Sequence, residues 1–321
     1  MKINNSCIYT FLLIFLLAVF NTYAQEPNTK QKAVLVTGAS SGIGLKITEV
    51  LSSKGYFVYA GARKQKDLDR LNAMENVESI KLDVTKWDEI NAALETVKKA
   101  DRGLYGIVNN AGVAILSPLI EVKEEDLDFI FNVNVYGPYR ITKAFAPLII
   151  ESKGRIANIS SISGILSGQF FGPYSMSKHA VEAYTDALAI EMKKFDVHVS
   201  AIEPGNYNSK IGESLFKRLK SEKSTTKKSL YQAELEALGL NRSGGDRSQY
   251  KDPKEVSDAV EKALFSENPK RRYMVVPNQR EGEITIKQML REMVQLNENQ
   301  AYKYNRESLI KMLDELLVET E

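Results

Sequence analysis

Two hydrophobic periods alternate along the chain. Short apolar, β-prone runs occupy residues 32–37, 57–62, 77–83, 104–108, 154–161, 197–202 and 273–276. Runs of that length, bounded by polar or glycine-containing stretches, read as strands. Between them apolar residues return at helical spacing: Ile43, Ile47, Val50 and Leu51; Ile90, Leu94 and Val97; Val181, Tyr184, Leu188 and Met192; Val256, Val260, Ala263 and Leu264. Trp87, the only tryptophan, starts the second of these stripes and is read as core. A longer helical stretch covers roughly 124–150, with a break or bend expected near Gly137-Pro138 and Pro147. Further helical patterns cover 283–296 and 306–319. Strands that alternate with helices predict an α/β fold. The expected form is one doubly wound parallel sheet of about seven strands, helices on both faces and extra C-terminal helices.

The chemistry-bearing residues collect at one end of that sheet. Thr37-Gly38, Arg63, Asp83, Asn109 to Gly112, Ser160-Ser161 and Pro204-Gly205 all fall at C-terminal ends of expected strands. Ligand sites in such sheets form there. The turn Gly38-Ala39-Ser40-Ser41-Gly42-Ile43-Gly44 joins the first strand to the first helix. That arrangement offers backbone N–H groups and a helix N-terminus to a phosphate, and its serines are candidate caps. The spacing differs from the common Gly-x-Gly-x-x-Gly fingerprint, so a tight turn without a ligand is the alternative. At the end of the second strand, where an acid would bind the ribose of NAD, stand Ala62 and Arg63. A guanidinium there suits a 2′-phosphate and favours NADP(H) over NAD(H); a solvated basic loop is the alternative. Asn134 lies inside a helical stretch, where asparagine is a poor fit unless exposed or needed.

Tyr174-Ser175-Met176-Ser177-Lys178 puts a phenol and an ammonium on one helical face. A free tyrosine has a pKa near 10, so only about 0.1% is phenolate at neutral pH. Bringing it near 7 takes roughly 4 kcal/mol. One ammonium at about 4 Å, at an effective dielectric of 20, supplies that much. The pair is therefore a candidate proton donor to a carbonyl oxygen, or acceptor from an alcohol.

Composition narrows the classes. The chain has 321 residues, 43% hydrophobic and 26% charged, which is ordinary for a globular fold. Its net charge of +2 gives no electrostatic case for nucleic acid. Cys7 is the only cysteine, so an internal disulfide is excluded, and no Cys/His cluster has metal-ligand spacing. His179 and His198 are expected to be structural or exposed. Residues 1–24 carry one charge, Lys2, and an apolar run over 8–20 that ends near Ala24. They read as a signal peptide, or as an uncleaved membrane anchor that leaves the rest in the cytoplasm. Residues 25–31 are a polar linker, and 217–228 is a basic run, read as a solvated face with membrane contact as the sharper alternative.

Together these motifs resemble the short-chain dehydrogenase/reductase family, over residues 32–280. Thr37-Gly38-x-x-x-Gly42-Ile43-Gly44 is similar to its cofactor motif, Asn109-Asn110-Ala111-Gly112 to its sheet-stabilising motif and Tyr174-x-x-x-Lys178 to its catalytic motif. The resemblance implies a Rossmann-like domain over 32–280, a C-terminal helical extension over 281–321, and a tetrad of Asn134, Ser161, Tyr174 and Lys178. Ser160 and Ser163 are the alternatives to Ser161. It also implies dinucleotide contacts from Gly38, Ser40, Ser41, Gly42, Ile43, Gly44, Arg63, Asp83, Asn110, Gly112, Tyr174, Lys178, Pro204, Gly205 and Ser209, where Ser209 stands in place of the family's threonine. In the implied reaction Tyr174 is the general acid, Ser161 steadies the substrate oxygen, Lys178 lowers the Tyr174 pKa and Asn134 anchors a relaying water. Ile202-Glu203-Pro204-Gly205-Asn206 and Phe170-Phe171 resemble the retinol and hydroxysteroid branch, which implies an apolar ketone or secondary alcohol. Residues 207–250 are expected to cover the substrate. The expected partner is a small molecule, and a homo-oligomer is expected. A dinucleotide-binding scaffold without turnover, and an epimerase or dehydratase, are the competing classes. NADPH binding without ketone-dependent oxidation would mark the first, and reaction without net cofactor use the second.

Overall fold

The computed structural model describes residues 31–211, 229–237 and 249–318. The expected leader at 1–24, most of the linker at 25–31, the basic run at 217–228 and much of the 207–250 cover lie outside them. The fold occupies the unit that begins at Lys32. Its strands are β1 (Ala33–Val36), β2 (Phe57–Ala62), β3 (Val77–Lys81), β4 (Gly106–Asn109), β5 (Arg155–Ile159), β6 (His198–Pro204) and β7 (Arg272–Val275). They form one sheet in the order β3-β2-β1-β4-β5-β6-β7, with every neighbouring pair parallel. The order reverses beside β1, which opens a crevice between the ends of β1 and β4.

Parallel neighbours need crossovers, and helices supply them. These are α1 (Gly42–Ser53), α2 (Gln65–Asn72), α3 (Trp87–Lys99), α4 (Glu124–Asn134), α5 (Tyr136–Glu151) and α6 (Gly172–Met192). After β6 come α7 (Gln232–Ala237), α8 (Lys254–Phe265), α9 (Gln279–Asn297) and α10 (Arg306–Val318). Side chains alternate across the sheet, so successive strand residues feed opposite layers. Leu35, Tyr59, Ile107 and Ile156 meet Ile90, Ile141, Phe145 and Met192 on one face. Val34, Val58, Val108 and Ala157 meet Ile47, Leu51, Val256 and Val260 on the other.

Three local expectations are corrected. Trp87 is not core: it is the first residue of α3 and is 42% exposed, while Ile90, Ala93 and Val97 form the buried stripe. The long helical stretch breaks at Val135, not at the Gly137-Pro138 pair. Pro138 sits in the first turn of α5, where a missing N–H costs no intrahelical bond, so it starts a helix rather than bending one. Pro147 lies inside α5 without ending it. Among the described residues no helix is long and apolar enough to cross a membrane.

Buried amides brace the centre of the sheet. Asn109 on β4 donates from Nδ2 to Asn158 Oδ1 on β5 (2.8 Å) and to Thr142 Oγ1 on α5 (3.2 Å). Asn158 Nδ2 donates to Thr185 Oγ1 on α6 at 3.0 Å. Buried amides need such partners, and this chain of bonds fixes α5 and α6 against the strand ends that carry the site.

Candidate active site

The glycine turn after β1 is shaped by close approach to β4. Gly38 has φ +66°, and a Cβ there would lie 2.9 Å from Ala111 Cα. A Cβ on Gly44 would overlap both Asn110 Nδ2 and the Gly38 carbonyl oxygen. Asn110 occupies the space that these glycines leave, donating from Nδ2 to Thr37 O at 2.9 Å and to Gly38 O at 3.3 Å. Thr37 Oγ1 accepts from the backbone N–H of Asn110 and of Ala111, both at 3.0 Å. Thr37 therefore ties the two strand ends together, a role its position before the glycine turn hinted at.

Ser41 is the N-cap of α1, but its side chain makes no capping hydrogen bond, contrary to the expectation for the serines. The first N–H groups of a helix have no partner of their own. An uncapped helix start beside a strand C-terminus is where a pyrophosphate is accepted, so the residues present fit a dinucleotide. Ser40 offers its carbonyl oxygen to Arg70 Nη2 at 2.5 Å, and Ile43 packs on the core. Ser209 comes against the same turn, with its Cα and Cβ each 3.2 Å from where a Gly42 Cβ would be. Gly205, just past β6, donates its N–H to Val275 O at 2.8 Å.

At the β2 end Arg63 Nη1 lies 3.9 Å from Asp83 Oδ2, and Arg63 is 66% exposed. Asp83 accepts from the N–H and Oγ1 of Thr85 at 3.0 and 2.7 Å. Burial pushes the Asp83 carboxyl up, but the Thr85 hydrogen bonds and the Arg63 charge prevail and hold it below its ordinary value.

The other half of the site lies where α4, α6 and the end of β5 meet. Lys178 is 6% exposed and donates to Ile159 O at 2.8 Å. Burial pulls its ammonium down to about 8, and the charge of Glu182 opposes that fall. Its Nζ is 5.7 Å from the centre of the Tyr174 ring, as the four-residue spacing required. Asn134 is buried, not exposed, which explains an asparagine at the end of a helix. Its Oδ1 accepts from Val113 N (2.8 Å), and its Nδ2 donates to Val113 O (2.9 Å) and Ser177 Oγ (3.0 Å). A Cβ on Gly112 would sit 3.5 Å from Asn134 Oδ1 and 4.0 Å from Lys178 Nζ, so both flank one small space. Ser161 caps the short 3-10 turn Ile162–Gly164 by accepting from Ser163 N at 3.1 Å, and donates to Pro204 O at 3.4 Å. His179 and His198 take no part in this arrangement; His179 Nδ1 pairs with Ser175 O, and His198 opens β6 on its exposed side.

Comparison with known proteins agrees with this geometry. The family model for short chain dehydrogenases matches residues 32–220. The bovine mitochondrial D-beta-hydroxybutyrate dehydrogenase is 38% identical over 197 residues, which cover 58% of this chain and 57% of the bovine protein. The chain thus spans little more than half the length of that relative. Human 17-beta-hydroxysteroid dehydrogenase type 6 is 34% identical over 272 residues, 81% of this chain and 86% of the human protein. It lies in the branch to which the sequence pointed. Among solved structures, a short chain dehydrogenase/reductase from Burkholderia phymatum in complex with NAD superposes with a TM-score of 0.69 at 25% identity, covering 86% of this chain and 98% of that one.

The buried ammonium has a measurable cost. A lysine whose folded value is depressed weakens the fold below that value, and the penalty fades as pH rises towards its unfolded value. Lys178→Met should therefore gain on the parent at neutral pH. The gap should close by about 3 kcal/mol between pH about 8 and 10.5. Urea unfolding of both proteins across that range measures it, and a pH-independent gap would contradict the depressed value.

Proposed function

The chain belongs to the short chain dehydrogenase family, and we propose that it is a nicotinamide-dependent oxidoreductase that interconverts a secondary alcohol and a carbonyl compound. The observation that carries this reading is the buried Lys178 ammonium 5.7 Å from the Tyr174 ring, at the sheet end that also holds the glycine turn. At that distance and an effective dielectric of 20, a cation favours the phenolate by about 3 kcal/mol, or roughly two pKa units. A bound nicotinamide dinucleotide supplies or accepts the hydride. The chain's own residues do the rest. Tyr174 gives its hydroxyl proton to the substrate oxygen in the reducing direction and takes it back in the other. Ser161 donates a hydrogen bond to the same oxygen and so stabilises its developing charge. It is preferred to Ser160, whose hydroxyl faces Gly164 on the side that Glu182 also borders, and Glu182 is about 12 Å along α6 from Tyr174. Lys178 keeps the phenol acidic. Asn134, fixed by three hydrogen bonds, holds the space above Gly112 for a water that returns protons to Lys178.

Preference for NADP(H) rests on Ala62 at the end of β2 followed by the exposed guanidinium of Arg63. A 2′-phosphate would compete with Asp83 for that guanidinium. An apolar substrate is supported by the side chains near the start of α6. Phe171 and Met176 are 39% and 45% exposed there, and Leu119, packed onto Gly172, is 55% exposed. The described part of the cover, 229–237, is pinned beside them: Ser229 Oγ and Leu230 N donate to Glu121 at 2.6 and 2.8 Å, and Tyr231 meets Phe170 edge-on. Export or membrane attachment through residues 1–24, and association into a homo-oligomer, belong to this reading on the sequence alone.

Three measurements test it. Tyr174→Phe should cut turnover of a ketone panel by at least about a hundredfold while NADPH binding is kept, since the general acid is lost and the cofactor cradle is not; undiminished turnover would remove the enzyme assignment. Arg63→Asp should raise the NADPH KM far more than the NADH KM, and equal changes would defeat the phosphate contact. N-terminal sequencing of the purified protein should begin at Gln25 if the leader is cleaved, and at Met1 if it is an anchor.

A further inference from the structure

One turn beyond Lys178 on α6, a second polar cluster is buried that the reaction above does not use. Glu182 is 8% exposed, and neither of its carboxylate oxygens has a hydrogen-bond partner among the described residues. Glu203, near the end of β6, is 2% exposed. Arg272 at the start of β7 stands between them, its Nε 3.3 Å from Glu182 Oε2 and 3.3 Å from Glu203 Oε1. Its Nη2 is 2.6 Å from Asp186 Oδ2, one turn further along α6, and Arg271 lies on the rim, 3.9 Å from Asp186. One guanidinium thus faces three carboxyl groups, two of them out of water.

Two buried carboxylates on one cation do not both ionise cheaply. Burial first, and the Glu182 charge second, push Glu203 up to about 8, so Glu203 holds a proton at neutral pH. The remaining charges then balance: Lys178 and Arg272 against Glu182 and Asp186. The side chain of Glu182 also borders Gly164 in the turn that follows β5. A Cβ on Gly164 would lie 2.9 Å from Glu182 Cγ and 2.9 Å from Ser160 Oγ, next to the Ile159 carbonyl that holds Lys178. Lys178 and Glu182 are four residues apart, on one face of α6.

We propose that Glu182 is a positioning residue for the Tyr174–Lys178 pair: its carboxylate, held beside Arg272 and one helical turn from Lys178, sustains the buried ammonium of Lys178. The proposal rests on the roles given above to Tyr174 and Lys178. Glu182 is about 12 Å from Tyr174 along the helix, so its direct effect on the phenol is small and its influence passes through the lysine.

The test is the titration of Tyr174, read from tyrosinate absorbance of each full-length protein minus its Tyr174→Phe counterpart, beside the pH profile of turnover. Glu182→Gln should move the Tyr174 midpoint up by about one unit, because Lys178 loses its counter-charge. Glu182→Asp should bring it back. Glu203→Gln should move it by much less, because a neutral amide replaces a carboxyl that is protonated below pH about 8. Glu182→Met serves if the glutamine variant does not fold. An unmoved midpoint in the uncharged Glu182 variants, or an equal shift in Glu203→Gln, would overturn the proposal. The spectroscopic shift without any ketone turnover by the parent would uphold the positioning role and fail the proposed reaction instead.

Discussion

An ammonium shut away from water sets the terms for the rest of this molecule. Lys178 is held by the Ile159 carbonyl at the end of β5, to which its Nζ donates at 2.8 Å. Keeping it charged there requires a fixed environment, because a flexible one would simply admit water or let the proton go. The surrounding structure supplies that fixity. The Asn109–Asn158–Thr185 bonds lock α6 to two central strands, and Asn134 locks α4 to the loop after β4 and to α6. What looks like general bracing of a sheet is, at this end, the support for one side chain's charge.

The same logic separates the two halves of the site. The glycine turn and Asn110 are fitted to each other so tightly that their geometry belongs to the backbone, and substitution there would have to move a strand. The glycine-turn half is therefore built from main chain and small residues. The region before α6 is built instead from large apolar side chains, Leu119, Phe171 and the 229–231 segment, in which Ser229 and Leu230 are tied to Glu121. Loops of that kind can change without disturbing the paired phenol and ammonium.

Most of the sheet was legible because strands buried on both faces leave continuous apolar runs, and β2 over Phe57–Ala62 matched its expected bounds. Proximity was legible where residues are close in sequence, as Tyr174 and Lys178 are. Trp87 misled because hydrophobicity says nothing about its place at the first turn of α3, where a side chain projects past the core. Asn134 was recognised as anomalous, but its reason, two backbone bonds to Val113 and one to Ser177, comes from a chain crossing no spacing reveals. The Glu182–Glu203–Arg272 cluster was missed for the same cause: parallel pairing of β6 with β7 unites residues some seventy apart. A signal existed in Glu203, an acid ending the apolar run Val199-Ser200-Ala201-Ile202, which needs a cation somewhere to be there at all.

The C-terminal extension is not a passive appendage to this arrangement. Asn278 caps α9 by accepting from Glu281 N at 3.0 Å, which aims the Glu281 carboxylate back at the turn after β6. There Glu281 Oε2 accepts from Asn206 N at 2.8 Å and fills the place a Cβ on Gly205 would need. Gly205 thus sits under a side chain from α9, and Pro204, just before it, is the residue whose carbonyl accepts from the Ser161 hydroxyl. The turn where β6 ends thus accepts from Ser161 just past β5, follows directly on Glu203, whose carboxyl shares Arg272, and meets the first helix of the extension.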